Sequence, residues 1–128
     1  MISEQTIYLM STSSSAIAAI IGLISIYFYI RAYNSVKNSS GTLSHAMRLS
    51  ILGSISLVLG VSAMLVYHLF EFTPHHATVS APADLTWYIF MFVAIILFCF
   101  ESLNLIKFNQ FLAGIDKTLS KRFKAKRK

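Results

Sequence analysis

The strongest constraint on this chain is the length of its apolar runs. The middle run covers residues 46–72, and its uncharged interior, 49–70, would be about 33 Å long as a helix. The hydrocarbon core of a bilayer is about 30 Å thick, so this run is long enough to cross it. A similar run lies on each side of it in the sequence. The sequence therefore predicts an all-α integral membrane protein with three transmembrane helices, at about 7–30, 48–70 and 85–106.

The composition agrees with a chain that lies mostly in lipid. Hydrophobic residues make up 55% of the chain and charged residues 12%, whereas soluble proteins carry about 25% charged residues. Three spans leave no room for a soluble domain, so residues 1–128 are predicted to form a single membrane domain. The one cysteine, Cys99, excludes an intrachain disulfide.

The positive charges predict the orientation. All 11 lysines and arginines lie either around the first loop, from Arg31 to Arg48, or from Lys107 onward. Cytoplasmic loops of membrane proteins carry an excess of such residues. We therefore expect a multi-pass protein of the cell (plasma) membrane, with its N-terminus and second loop outside and its C-terminus in the cytoplasm. The second loop is predicted at 72–84, which contains both prolines, with Asp84 as the N-cap of the third helix.

The C-terminal segment, about 107–128, alternates basic residues with apolar residues at helical intervals. This pattern is typical of an amphipathic basic helix on a membrane surface, where lysine and arginine contact anionic lipid headgroups. The expected headgroup contacts are Lys117, Lys121, Arg122 and Lys124. We do not expect nucleic acid as the partner, because a basic end after a last span is a common topological anchor.

Small residues recur at helical spacing in the first two spans. The first set is Ser11, Ser15, Ala18, Gly22 and Ser25, and the second includes Gly53, Ser56, Gly60 and Ala63. Small residues let helices approach closely in a bilayer. We expect these two faces to pack against each other, and the third helix, which is rich in aromatic residues, to contact lipid or other subunits.

Glu101 is an acidic residue inside the third apolar run. A carboxylate near hydrocarbon is costly unless it is paired, protonated or hydrated. The leading hypothesis is a buried ion pair with Arg48 or Arg31. The alternatives are a proton or ion pathway and a side chain that extends to the interface.

The sequence contains no motif that indicates catalysis or a cofactor site by this chain alone, neither a Gly-rich phosphate loop nor a CxxC, HExxH or nucleophile-elbow pattern. The one candidate cluster for a binding site consists of His68, Glu71, His75 and His76 at the outer end of the second span. Imidazole and carboxylate groups could bind Cu or Zn. The alternative is that the histidines hydrogen-bond to the loop or to a neighbouring subunit.

With its three spans, its Arg31-Ala32-Tyr33 sequence and its basic tail, the chain resembles small archaeal three-span membrane proteins. In its use of Ile, Ser and Lys it is similar to accessory subunits of archaeal ammonia monooxygenase. The resemblance covers the whole chain in size, hydropathy and composition, and involves no motif. It implies a supporting chain around a copper enzyme whose catalytic ligands lie mainly in other subunits.

The leading functional hypothesis is a non-catalytic accessory subunit of a larger membrane complex, with other integral membrane subunits as partners; the resemblance implies a copper membrane monooxygenase. The first alternative is a metal-handling protein that uses the outer histidines. The second is a small oligomeric transporter or channel built around Glu101.

Overall fold

A computed structural model of the chain describes residues 4–38 and 41–126, with side chains described as far as Ile115. It contains the helices α1 (Glu4–Val36), α2 (Gly41–Phe70) and α3 (His76–Lys126). Each has a stretch long and apolar enough to cross a membrane. The predicted all-α architecture with three candidate spans is confirmed, and insertion into a membrane stays a prediction.

Helix α2 lies between the other two helices. Both α1 and α3 pack against α2, and within the described residues no Cα atom of α1 lies within 8 Å of one of α3. Helix α2 buries residues along most of its length, from Ser44 to Gly60, whereas Gly22 is the one buried residue among those described in α1. The buried part of the protein therefore follows α2.

The helices are longer than the predicted spans, and the connections between them are correspondingly short. At the end of α1 the amide of Lys37 donates to the Tyr33 carbonyl at 2.8 Å, and α2 begins at Gly41. Residues 71–75 form the turn between α2 and α3, in which the Thr73 amide donates to the Phe70 carbonyl at 2.9 Å.

The start of α3 differs from the expected loop at 72–84 with Asp84 as its helix cap. Helix α3 begins at His76, and the carbonyl of His75 accepts hydrogen bonds from the amides of Thr78 and Val79. Pro82 lies inside the helix, close to its N-terminus. A proline there removes one backbone bond near the helix start and does not end the helix. The expectation of a long outer loop was therefore wrong.

The small residues of α2 pack mainly against α3. The ring of Phe98 lies against Gly53, with its Cε1 atom 2.9 Å from where a Cβ would be. A Cβ on Gly60 would lie 3.5 Å from Phe90 and from Trp87. The Ser56 hydroxyl donates to the Phe90 carbonyl at 2.8 Å. The expectation that these three positions meet the small face of α1 was wrong, because the aromatic side chains of α3 fill the space that they leave.

The contact between α1 and α2 is narrower. Gly22 lies so close to Val58 that an added Cβ would overlap the valine side chain. Ser11, Ser15 and Ser25 on α1 are half-buried, as is Ala63 on α2, while Ala18 is exposed. Only part of the predicted small-residue face of α1 is therefore in contact with α2.

Candidate functional site

The residues singled out for chemistry gather at one end of the protein, where α1 begins, α2 ends and α3 begins. We call this the histidine end. His68 lies in the last turn of α2, and Glu71 follows in the turn. The Nδ1 atom of His68 lies 3.2 Å from the Oε2 atom of Glu71. Residues three apart on a helical turn share a face, which is what brings these two together.

Ser11 of α1 reaches the same imidazole nitrogen. Its Oγ atom lies 3.4 Å from His68 Nδ1, and its hydroxyl donates to the Tyr8 carbonyl at 3.0 Å. Because that hydroxyl proton is already engaged, Ser11 can only accept from His68, and the Glu71 carboxylate can also only accept. The hydrogen-bond network therefore assigns the proton to Nδ1.

This assignment decides what the three side chains can do. In a Ser–His–acid catalytic triad the serine and the carboxylate bind different nitrogens of the imidazole. Here both bind Nδ1, so His68 does not activate Ser11 as a nucleophile. Instead, the carboxylate and the hydroxyl fix the orientation of the ring and leave Nε2 as the nitrogen that can accept a hydrogen bond or bind a ligand.

A cavity of about 360 Å³ lies beside this group, where α1 begins and α2 ends. Its walls combine acidic, polar and aromatic side chains, and it is lined by Glu4, Ile7, Tyr8, Ser11, His68, Glu71 and Phe72. The rings of Tyr8 and Phe72 pack edge to face with centroids 5.0 Å apart. The cavity therefore joins two carboxylates, an imidazole and an aromatic pair.

No family model, curated protein or solved structure matches this chain. Any functional inference therefore depends on the geometry of the chain's own residues.

The other two histidines of the predicted metal set make no hydrogen bond to this group among the described residues. The His76 ring packs against Tyr67 at 5.3 Å, and its Nδ1 atom is buried without a hydrogen-bond partner among the described residues. His75 is exposed. In the part of the chain that the structure describes, no three His, Cys, Asp or Glu side chains come together as metal ligands. Binding of Cu or Zn by all four predicted residues stays a prediction without geometric support.

At the opposite end, Arg48 does not make the predicted ion pair. Its Nε atom donates to the Tyr33 hydroxyl at 2.9 Å, and its guanidinium lies over the Tyr33 ring at 5.4 Å. Within the described residues, Glu101 forms no ion pair with Arg48 or Arg31. The prediction was wrong because Arg48 points towards α1, whereas Glu101 lies on α3.

Sequence reasoning missed both polar contacts between α1 and α2. A usable signal was present, because antiparallel helices joined by a short turn pair residues that lie equally far from it. Ser11 and His68 fit this rule closely, since they lie 25 and 27 residues from the helix ends that flank the turn, whereas Tyr33 and Arg48 lie 3 and 7 residues from those ends and fit it only roughly. The expected headgroup contacts Lys117, Lys121, Arg122 and Lys124 lie outside the described side chains.

Proposed function

We propose that this chain is a non-catalytic structural subunit of a larger membrane complex. In this proposal the three helices cross the membrane, the histidine end faces outside and the basic C-terminus lies in the cytoplasm. The incomplete burial of α1 carries the proposal, and the charge distribution along the sequence supports the orientation.

Little of the surface of α1 is buried by the rest of this chain. Large apolar side chains are exposed along its whole length, such as Leu9 at 65% and Phe28 at 58%. Since no Cα atom of α3 lies within 8 Å of one of α1 in the described part of the protein, nothing else in that part covers these side chains. Lipid could cover them, and so could another helix.

On one flank of α1, small residues favour contact with another helix over contact with lipid. Ser14 and Ala18 are exposed and lie one turn apart beside the contact with α2, and Ser25 continues the same flank. Small residues give little contact with acyl chains but permit close approach of another helix. The flank formed by Ser14, Ala18 and Ser25 is therefore the expected contact with a partner subunit.

Site-directed photo-crosslinking in the native membrane tests this proposal. A photo-reactive phenylalanine analogue at Ala18 is expected to give one discrete cross-linked product with another membrane protein. The matched control is the same analogue at Ile20, which is exposed on the side of α1 opposite Gly22. Ile20 is expected to give no discrete protein product.

Two results would contradict the proposal. One is that Ala18 gives no protein adduct while the chain purifies in mild detergent as a free monomer. The other is that Ala18 and Ile20 give the same diffuse set of adducts, as a helix surrounded by lipid would.

The identity of the complex is a finer proposal. The resemblance in size, hydropathy and composition suggests a copper membrane monooxygenase. Mass spectrometry of the chain cross-linked at Ala18 tests this directly, and a partner unrelated to copper oxidation would rule it out while leaving the structural role intact.

A further inference from the structure

The histidine end is acidic and carries no lysine or arginine. None occurs between Glu4 and Arg31, and none between Arg48 and Lys107, while Glu4 and Glu71 both line the cavity. A cleft lined by charges of one sign concentrates the field and attracts ions of the opposite sign. The cavity is therefore suited to a cation.

The size and the walls of the cavity indicate what kind of cation fits. Its volume of about 360 Å³ lies at the lower end of the range for small-molecule sites, roughly 300–1,000 Å³. Tyr8 and Phe72 pack edge to face, and both side chains line the cavity. Aromatic faces attract substituted ammonium groups through the ring quadrupole.

One of the two carboxylates is held in place before any ligand arrives. Glu71 Oε2 is bonded to His68, and His68 is also bonded to Ser11 across the helix interface. This leaves the second oxygen of Glu71 able to accept a donor or to face a positive charge. A fixed carboxylate loses little freedom on binding, which favours affinity.

We propose that this cavity binds a small organic cation with a substituted ammonium group. The carboxylates of Glu4 and Glu71 neutralise the charge, and the Tyr8 and Phe72 rings contact the alkyl groups. A metal ion fits less well, since it needs several directed ligands and no three converge among the described residues. The same chemistry could come from a soluble amine or from a lipid headgroup. The site does not depend on the proposed function.

Calorimetric titration of choline chloride into the full chain in a maltoside detergent tests the proposal, with sodium chloride at equal ionic strength as the reference. Saturable binding is expected for the wild type. Glu71→Gln and Glu4→Gln are each expected to weaken the affinity at least tenfold. Glu101→Gln, which removes a carboxyl on α3 far from the cavity, is expected to change it less than twofold.

Thermal unfolding of each variant shows whether it is folded. Because Glu4 is exposed, Glu4→Gln is expected to fold even if Glu71→Gln does not, so it still tests the proposal. Absence of saturable heat in the wild type would overturn the proposal. Equal weakening by Glu101→Gln would also overturn it, because the effect would then reflect net charge alone.

Reconstitution separates the two sources of the cation. Choline is titrated against the chain in nanodiscs of phosphatidylglycerol mixed with an uncharged galactolipid, and in nanodiscs in which phosphatidylcholine replaces the galactolipid, so that the surface charge is the same. Equal affinities identify a soluble cation as the ligand. A weaker affinity in the presence of phosphatidylcholine identifies the lipid headgroup as a competitor for the same cavity.

Discussion

The two faces of α2 are used in different ways. Towards α3, α2 presents small residues along several turns, and aromatic side chains of α3 lie against Gly53 and Gly60. Towards α1, the close approach occurs at one place, Gly22 against Val58. Both interfaces run along the helices, but the one with α3 is more extensive, and Gly22 is the one position described in α1 that is buried.

The polar contacts of the two interfaces also differ in where they lie along the helices. Between α2 and α3, the Ser56 hydroxyl bonds to the Phe90 carbonyl within the packed interface. Between α1 and α2, the polar contacts lie near the ends, Ser11 with His68 and Tyr33 with Arg48. We infer that α3 is held to α2 mainly by the packing of aromatic side chains against small residues, whereas α1 is held by a less extensive contact with polar contacts near both of its ends. A single substitution in the middle therefore affects α1 most.

The largest expected effect is that of Gly22→Ala. The added methyl group would overlap Val58, a β-branched side chain with one strongly preferred rotamer in a helix. Overfilling a packed contact of this kind costs about 1–3 kcal/mol of unfolding free energy. The measurement is unfolding by SDS titration in mixed micelles, followed by circular dichroism.

Two further variants test whether overlap with Val58 causes the loss of stability in Gly22→Ala. Gly114→Ala is the matched control, because the added methyl group would meet nothing within 4 Å beyond its chain neighbours and the nearby backbone of its own helix, and it is expected to be neutral or stabilising. Adding Val58→Ala to Gly22→Ala is expected to recover part of the loss. If the double variant is as unstable as the sum of the single ones, the two residues do not contact each other.

A smaller effect is expected where α2 meets α3. In Gly53→Ala the new methyl group would lie 2.9 Å from the Phe98 ring, so the ring has to move, with a loss of about 1 kcal/mol. In Gly60→Ala the nearest atoms are at 3.5 Å, an ordinary contact. That variant is expected to keep or gain stability, by up to about 1 kcal/mol from helix propensity. Equal losses at both positions would contradict the packing described for α3.

The sequence was sufficient to predict three helices long and apolar enough to cross a membrane, but not which helix each small residue meets. Apolar length determines a span directly. Gly22 and Gly53 have the same helical spacing pattern, yet one meets a valine of α2 and the other a phenylalanine of α3. The partner of a small residue depends on which large side chain can fill its gap, and spacing along one helix carries no information about that.

The polar contacts were hard to predict for a related reason. Arg48 was matched with Glu101 by charge and depth, whereas the structure pairs it with Tyr33. An aromatic hydroxyl and ring next to a guanidinium satisfy it without a buried carboxylate. Similarly, Glu4 and Glu71 are far apart in the sequence, and only the antiparallel packing of α1 on α2 brings both to one cavity.

The smallest of the three effects is expected at Ser56, and it tests whether the interface with α3 contains a hydrogen bond as well as packing. Ser56→Ala removes the bond to Phe90, and interhelical bonds of this kind contribute about 0.6 kcal/mol on average. Ser50 is the matched control, since it is fully buried on the same helix but its hydroxyl bonds to the Ala46 carbonyl of α2 itself. Ser50→Ala is expected to change stability by less than Ser56→Ala, because the intrahelical bond joins no second helix. An equal change in the two variants would mean that the Ser56 hydroxyl does not stabilise the contact with α3, and that packing alone holds the two helices together.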